Sequence, residues 1–243
     1  GAPAAAYEEA FERGCNYFTL GSFMKGKSRE MIQAIKNISA RGKRDELVVS
    51  VYDYMHAPLV GRPVFKRALR LSGLEYADVF LLGYTIGNYR KHLIRWASKL
   101  KNEGLVRHIG VSSHDRSLFK ILSQDAELEV FHIRYNAVNS GAEKDVFPFL
   151  PEQNTPGIVA FTATRWGQLL MEKKMPEGEP PLKASDCYRF ALSHPAVDLV
   201  MTGPRNHDMM KENLKTLDMG PLSDEKMQRI RKIGDYIYNK PRM

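Results

Sequence analysis

The feature that most constrains the fold of this chain is a repeat in which short apolar runs alternate with segments of helical periodicity. The runs are rich in β-branched and aromatic residues, as buried parallel strands are. Seven of them occur, at residues 16–20, 46–54, 77–85, 106–113, 130–137, 157–164 and 197–203. This alternation predicts an α/β fold in which right-handed helical crossovers connect the strands of a parallel sheet.

The segments between the runs carry helix signals. Met31, Ile35 and Ile38 share one face of a helix that Ser28 is expected to cap and Gly42 to end. Similar signals predict a helix from Pro63 to just before Gly73, another over about 88–103, and a last one with Ile230, Ile233 and Ile237 on one face.

A closed barrel fits this chain better than an open doubly wound sheet. An open sheet normally carries a glycine-rich phosphate turn after its first strand, and neither GxGxxG nor GxxxxGK[ST] occurs here. We therefore predict a (β/α)8 TIM barrel of parallel strands, in one domain over residues 1–243. Only seven strands are visible. Either the first strand is missing from this chain, in a piece that precedes it, or the barrel closes in an unusual way; we favour the first.

The net charge and the two cysteines limit which binding partners and which cellular compartment we expect. The net charge is +8, but the basic residues are dispersed among acidic ones, which indicates a solvated surface and argues against nucleic acid; an anionic cofactor is the next candidate. Cys15 and Cys187 lie far apart without metal-ligand spacing, so we expect two reduced thiols in a cytoplasmic protein. The sequence shows neither a signal peptide nor a run near the ~20 apolar residues of a membrane span.

Several segments together resemble the aldo-keto reductase family. Similar in order and spacing are AFERGCNYF at 10–18, LSGLEYADVFLLG at 71–83, LKNEGLVRHIGVSS at 100–113, RYN at 134–136, GIVAFTATRWGQLL at 157–170, ALSHPAVDLVMTGPRN at 191–206 and ENL at 212–214. The match extends from Ala5 to about Leu217. The resemblance implies an eight-stranded barrel that generally binds NADPH and reduces aldehydes and ketones.

The resemblance also implies a catalytic tetrad of Asp, Tyr, Lys and His. Hydride delivered to a carbonyl leaves an alkoxide that must be protonated, and a buried lysine beside the tyrosine lowers the pKa of that phenol enough for it to serve as the acid. In this sequence the Asp position is Thr19, the Lys position is Tyr52 and the His position is Gly83. The Tyr position is Met24, or Phe23 if the loop shifts by one residue. All four are replaced, so ordinary carbonyl reduction is not expected.

Other side chains could replace the lost acid. Tyr52 and Tyr84 lie at the ends of strands, and His132 and His114 lie on neighbouring ones; a tyrosine beside a protonated histidine could donate a proton. Against this, Tyr52 could simply fill the space of the Lys–Asp pair, and His114 could be a residue at a helix start.

The resemblance also marks a site for NADP or NAD. In the family, a serine–asparagine pair and a glutamine hold the nicotinamide amide, and the matching positions here are Ser112, Ser113 and His132. Phe161 matches the aromatic residue that stacks on the nicotinamide ring. Met209 lies near the position at which many members have an arginine that binds the 2′-phosphate, so the choice between NADPH and NADH stays open. The full set of candidate cofactor positions is Ser112, Ser113, His132, Phe161, Thr162, Arg165, Gly203, Arg205, Asn206, Glu212 and Asn213.

Three functions follow as hypotheses. The first is an oxidoreductase-family barrel with a degenerate active site that keeps a nicotinamide nucleotide site. The second is a divergent active NAD(P)H-dependent oxidoreductase with Tyr52, Tyr84 or His132 as proton donor. The third, which nothing in the sequence requires, is an interaction module that uses the basic surface. Substrate and oligomeric state are not encoded in any motif found.

Overall fold

The strands form one parallel sheet in chain order. The computed structural model describes residues 1–21, 28–84 and 91–239. Each strand pairs in parallel with the next one along the chain. The strands are β1 Tyr17–Gly21, β2 Val48–Asp53, β3 Ala77–Tyr84, β4 Val106–Ser113, β5 Val130–Arg134, β6 Gly157–Phe161 and β7 Leu199–Val200. The prediction of a parallel α/β barrel with seven of the eight strands is confirmed.

Helices connect the strands and cover the outside of the sheet. They are α1 Ala4–Glu12, α2 Arg29–Ala40, α3 Pro58–Ser72, α4 Lys91–Asn102, α5 Phe119–Leu122, α6 Ala142–Asp145, α7 Ala184–Leu192, α8 His207–Asp218 and α9 Asp224–Asn239. Ser28 takes the cap position of α2 but makes no side-chain capping hydrogen bond. The described residues contain no helix of the length and apolarity that a bilayer crossing requires.

The two faces of the sheet differ in chemistry. Outward residues such as Phe18, Val49, Phe80 and Phe131 belong to the large apolar cluster shared with the helices. Side chains alternate along a strand, so their neighbours Tyr17, Thr19, Ser50, Tyr52 and His132 point inward. Polar side chains therefore share the interior of the sheet with apolar ones such as Leu81 and Val159, while the outer face is apolar.

The structure corrects one predicted helix start and shortens several strands. The helix expected from Pro63 begins at Pro58, and Pro63 lies inside it. Pro58 satisfies the first-turn preference equally well, because no intrahelical donor is needed there. Strand β6 ends at Phe161, because Thr162 has a φ of 56° and cannot continue a strand.

Candidate active site at the barrel mouth

A chain of hydrogen bonds crosses the interior of the barrel. The Tyr17 hydroxyl lies 2.8 Å from His132 Nε2, and the Tyr52 hydroxyl lies 2.8 Å from His132 Nδ1. The Tyr52 hydroxyl also donates to Ser112 Oγ at 3.3 Å. His132 is completely buried. Strands β1, β2 and β5 are thus linked through one imidazole, and the Tyr52 hydroxyl extends the link to β4.

The proton positions in this network follow from the donor at Tyr52. Because the Tyr52 hydroxyl donates its hydrogen bond to Ser112, its oxygen must accept a hydrogen bond from the Nδ1–H of His132. Nε2 of His132 then accepts a hydrogen bond from the Tyr17 hydroxyl. Both ring nitrogens are then satisfied with the imidazole neutral. Burial lowers the pKa of His132 to about 3.

Burial also weakens both tyrosines as acids. It raises the pKa of Tyr17 to about 12 and the pKa of Tyr52 still further above its ordinary value, although the Ser112 hydrogen bond acts in the opposite direction on Tyr52. Tyr52 stacks on Tyr54, with ring centroids 5.4 Å apart. The Tyr52 phenol is therefore a worse proton donor near neutral pH than a free tyrosine.

Two more of the tetrad-equivalent positions are described. Thr19 Oγ1 lies 2.8 Å from Ser50 Oγ, so its hydroxyl is engaged with the next strand. Gly83 is buried, and a Cβ added to it would lie 2.5 Å from Cδ1 and Cε1 of Tyr54. The Tyr54 ring thus occupies the space that a side chain at position 83 would need. Phe23 and Met24 lie outside the described residues, and so does the side chain of Tyr84.

This contact predicts a specific cost for a side chain at position 83. We expect Gly83→Ala to lower the free energy of unfolding by about 1 kcal/mol, because the Tyr54 ring must leave its stacked position on Tyr52. Tyr54 is half exposed and can move away, which limits the loss. Urea unfolding of Gly83→Ala, Tyr54→Ala and the double variant measures the effect. An equal cost of Gly83→Ala with and without the Tyr54 ring would contradict this explanation.

The positions expected to hold a nicotinamide amide are engaged within the protein. Ser112 accepts from Tyr52, and Ser113 Oγ accepts from the Asp115 backbone N–H at 3.0 Å. His132 has both nitrogens bonded to tyrosines. A contact from any of these three side chains to a ligand would have to replace or share an existing hydrogen bond.

The loop after β6 has an unusual backbone. Thr162, Arg165 and Trp166 have φ values of 56°, 48° and 52°, and Gly167 follows at 82°. Left-handed conformations are costly for residues other than glycine and concentrate at functional sites. Phe161, the last residue of β6, is only partly buried and meets the His114 ring edge-on at 5.3 Å. An aromatic ring and a strained loop thus lie together at the carboxyl ends of the strands, which form the mouth of the barrel.

The positions around α8 mainly support the helix. Asn206 Oδ1 accepts the Met209 backbone N–H at 2.8 Å and caps the helix. Glu212 pairs with Lys215 and accepts from Ser185. Asn213 donates to Thr202 Oγ1. The structure exposes Gly203 and Arg205 in the loop before the helix.

Two residues at this site, Tyr17 inside the hydrogen-bond network and Arg134 outside it, are not among the site residues predicted from the sequence. In the sequence, Tyr17 falls within a predicted strand and Arg134 within the RYN segment. Arg134 is two residues beyond His132 in β5 and therefore shares its inward face, at the carboxyl end of the strand. An arginine that ends an inward-facing run was the signal available. The part of the chain that the structure describes contains no cluster of metal-ligand side chains.

Comparison with known proteins agrees with this architecture. The model of the Aldo/keto reductase family matches residues 3–186. The chain is also 23% identical over 259 residues to a Bacillus subtilis (strain 168) protein named Uncharacterized oxidoreductase YqkF, with 91% of this chain and 84% of that protein covered.

Solved structures share the fold at low sequence identity. An aldo-keto reductase from Bacillus halodurans in its apo form has a TM-score of 0.75 and 20% identity, over 95% of this chain and 85% of its own. An aldo-keto reductase from Klebsiella pneumoniae in complex with NADPH has a TM-score of 0.76 and 20% identity, over 96% and 84%. Because the family model spans more than half of the sequence, this chain belongs to the aldo/keto reductase family.

Proposed function

We propose that this member of the aldo/keto reductase family is a nicotinamide nucleotide-binding barrel with a degenerate catalytic site, unable to perform standard carbonyl reduction. The observation that carries the proposal is the environment of Tyr52. This phenol is bonded to Ser112 and His132 in a buried network, and among the described residues no ammonium group contacts it. The electrostatic help that would make a tyrosine an acid near pH 7 is therefore absent from this position.

The surroundings of His132 disfavour it as an alternative acid. His132 could protonate Tyr52 only as an imidazolium, and its pKa of about 3, lowered by burial, keeps it neutral near pH 7. A positioned general acid is worth about 10²–10⁴-fold in rate, so its loss makes turnover very slow. Tyr84, the remaining candidate, is not assigned a role.

The case for nucleotide binding is made by the mouth residues. Phe161 offers a partly exposed aromatic face, which suits stacking on a planar ring. Arg165 and Arg205 lie in the loops after β6 and β7, and cations there suit phosphate groups. The Klebsiella pneumoniae relative is a complex with NADPH, which supports the same class of ligand here. A bound nicotinamide would supply hydride, while Phe161 and the two arginines would only position it.

Turnover and binding must be measured separately. We expect no oxidation of NADPH or NADH above background with simple aldehydes, together with saturable nucleotide binding by calorimetry. An active reductase of the family, assayed in parallel, validates the substrates. NADPH-dependent turnover that disappears in Tyr52→Phe would contradict the degenerate site and favour the divergent enzyme.

The stacking role of Phe161 has its own test. We expect Phe161→Ala to weaken nucleotide binding about 5- to 10-fold, because an aromatic stack contributes roughly 1 kcal/mol. Phe149→Ala is the matched control, since Phe149 is partly exposed and packs under Lys120 instead. Equal nucleotide affinities of the two variants would remove Phe161 from the site.

A further inference from the structure

An arginine without a counter-ion lies at the mouth of the barrel. Arg134 ends β5 beside Phe161, its Cα partner in β6. Its Nε is buried without a hydrogen-bond partner, and among the described residues the rest of its guanidinium also forms no hydrogen bond or ion pair. A partly buried cation is costly to leave uncompensated, and native proteins normally pair it.

The neighbours of Arg134 add positive charge. Burial lowers the pKa of Arg134, and the charges of Arg116 and Arg165 lower it further. The same guanidinium helps to lower the pKa of His114, after burial of that imidazole. The charges of these three arginines therefore act on one another, and His114 lies close by, with its ring edge-on to Phe161 at 5.3 Å.

Arg116 is held in place by its own contacts. Its Nε donates to Asp145 at 2.8 Å, and its guanidinium packs against Gly141, where an added Cβ would approach Nη2 to 2.5 Å. The Asp145 carboxylate is thereby engaged with Arg116 and half exposed. Arg116 is therefore a positioned cation that needs no ordering when a ligand arrives.

We propose that Arg134, flanked by Arg116 and Arg165, binds the oxyanion group of a small molecule at the mouth of the barrel. The planar guanidinium fork matches a carboxylate or phosphate with two parallel hydrogen bonds. The Phe161 face bounds the site on one side, which suits a compact anion with some apolar surface. This proposal goes beyond the nucleotide-binding barrel, because it requires neither nucleotide nor turnover.

The experiment titrates the full chain with sodium malonate and with sodium phosphate, in the absence of nucleotide and at constant ionic strength set with sodium chloride. Calorimetry measures binding to the wild type and to Arg134→Gln, Arg134→Lys and Arg67→Gln. Arg67 is an exposed residue of α3, so its replacement removes the same charge away from the mouth. Circular dichroism checks that each variant is folded.

We expect saturable binding of at least one anion, weakened about 10- to 100-fold in Arg134→Gln, since a hydrogen bond between charged groups is worth roughly 1.5–3 kcal/mol. Arg67→Gln should bind as the wild type does, and Arg134→Lys should lie between, because it keeps the charge without the fork. Tighter malonate assigns a carboxylate ligand and tighter phosphate a phosphoryl ligand.

Two results would overturn the proposal: no saturable binding of either anion by the wild type, or equal affinities of Arg134→Gln and Arg67→Gln. If Arg134→Gln does not fold, Arg134→Lys and Arg116→Gln decide in its place. Unchanged affinity in both of those variants would then refute the site. NADPH plays no part in these titrations, so their failure is distinct from a failure of the nucleotide proposal.

Discussion

Replacing His132 with leucine is expected to lower the free energy of unfolding by about 1–3 kcal/mol, because the partly buried Tyr17 hydroxyl loses its acceptor and the Tyr52 hydroxyl loses one of its two partners. Leucine is close to histidine in volume, so the loss reports unsatisfied polar groups more than an empty cavity. Tyr52 still donates to Ser112, so most of the cost falls on the Tyr17 hydroxyl, and a polar group left unsatisfied costs about 1–3 kcal/mol. Chemical denaturation in urea with a fluorescence or circular dichroism readout measures the difference.

A companion variant isolates the cause. The triple variant His132→Leu, Tyr17→Phe, Tyr52→Phe removes the network together with the groups that need it, so it should recover much of the lost stability. His108→Leu is the control at an exposed histidine, whose Nδ1 contacts Glu129. If the free energy of unfolding of His132→Leu lies within about 0.5 kcal/mol of the wild-type value, the network contributes little to stability.

The second large effect is a loss of stability in acid that depends on His132. Its pKa is lowered from 6.5 to about 3 in the folded protein by burial, while the unfolded chain keeps the ordinary value. Between pH 6.5 and pH 3 the unfolded state binds more protons than the folded state. The contribution of neutral His132 to the free energy of unfolding is therefore fully present above pH 6.5 and is lost as the pH falls toward 3. Over that whole window the loss is on the order of 4 kcal/mol.

The measurement is the free energy of unfolding from pH 8 down to pH 4, in wild type and in His132→Gln. Glutamine keeps one donor and one acceptor for the two tyrosines but does not titrate, so the slope of stability against pH below 6.5 should flatten. Parallel curves for wild type and His132→Gln would refute a buried neutral imidazole.

The polar interior shows where sequence reasoning stops. Tyr17, Tyr52 and His132 are separated by 35 and 80 residues along the chain, and each could be predicted to face inward from strand alternation. Their mutual hydrogen bonds depend on the relative register of β1, β2 and β5. Register is set by long-range packing, so no local pattern predicts that each ring nitrogen of His132 forms a hydrogen bond with a different tyrosine hydroxyl.

The mouth shows the same limit for charge. Arg165 was a candidate phosphate ligand from its loop position, but Arg134 was not, because one arginine at a strand end is unremarkable in a basic chain. Its significance comes from the buried, unpaired Nε and from the charges of Arg116 and Arg165, which act on it from other segments of the chain. Likewise, the sequence shows only that Gly83 replaces the histidine of the family. The tertiary structure shows that the Tyr54 ring occupies the space next to it.

The sequence by itself determined the α/β class, the order of strands and helices and the family resemblance, because hydrophobic periodicity, caps and local motifs act over a few residues to a few tens of residues. It did not determine where α3 begins, since Pro58 and Pro63 both satisfy the local preference. Only the tertiary structure decided which polar groups are paired. Burial and partner geometry control the pKa of His132 and the uncompensated charge of Arg134, and both depend on residues far apart in the chain.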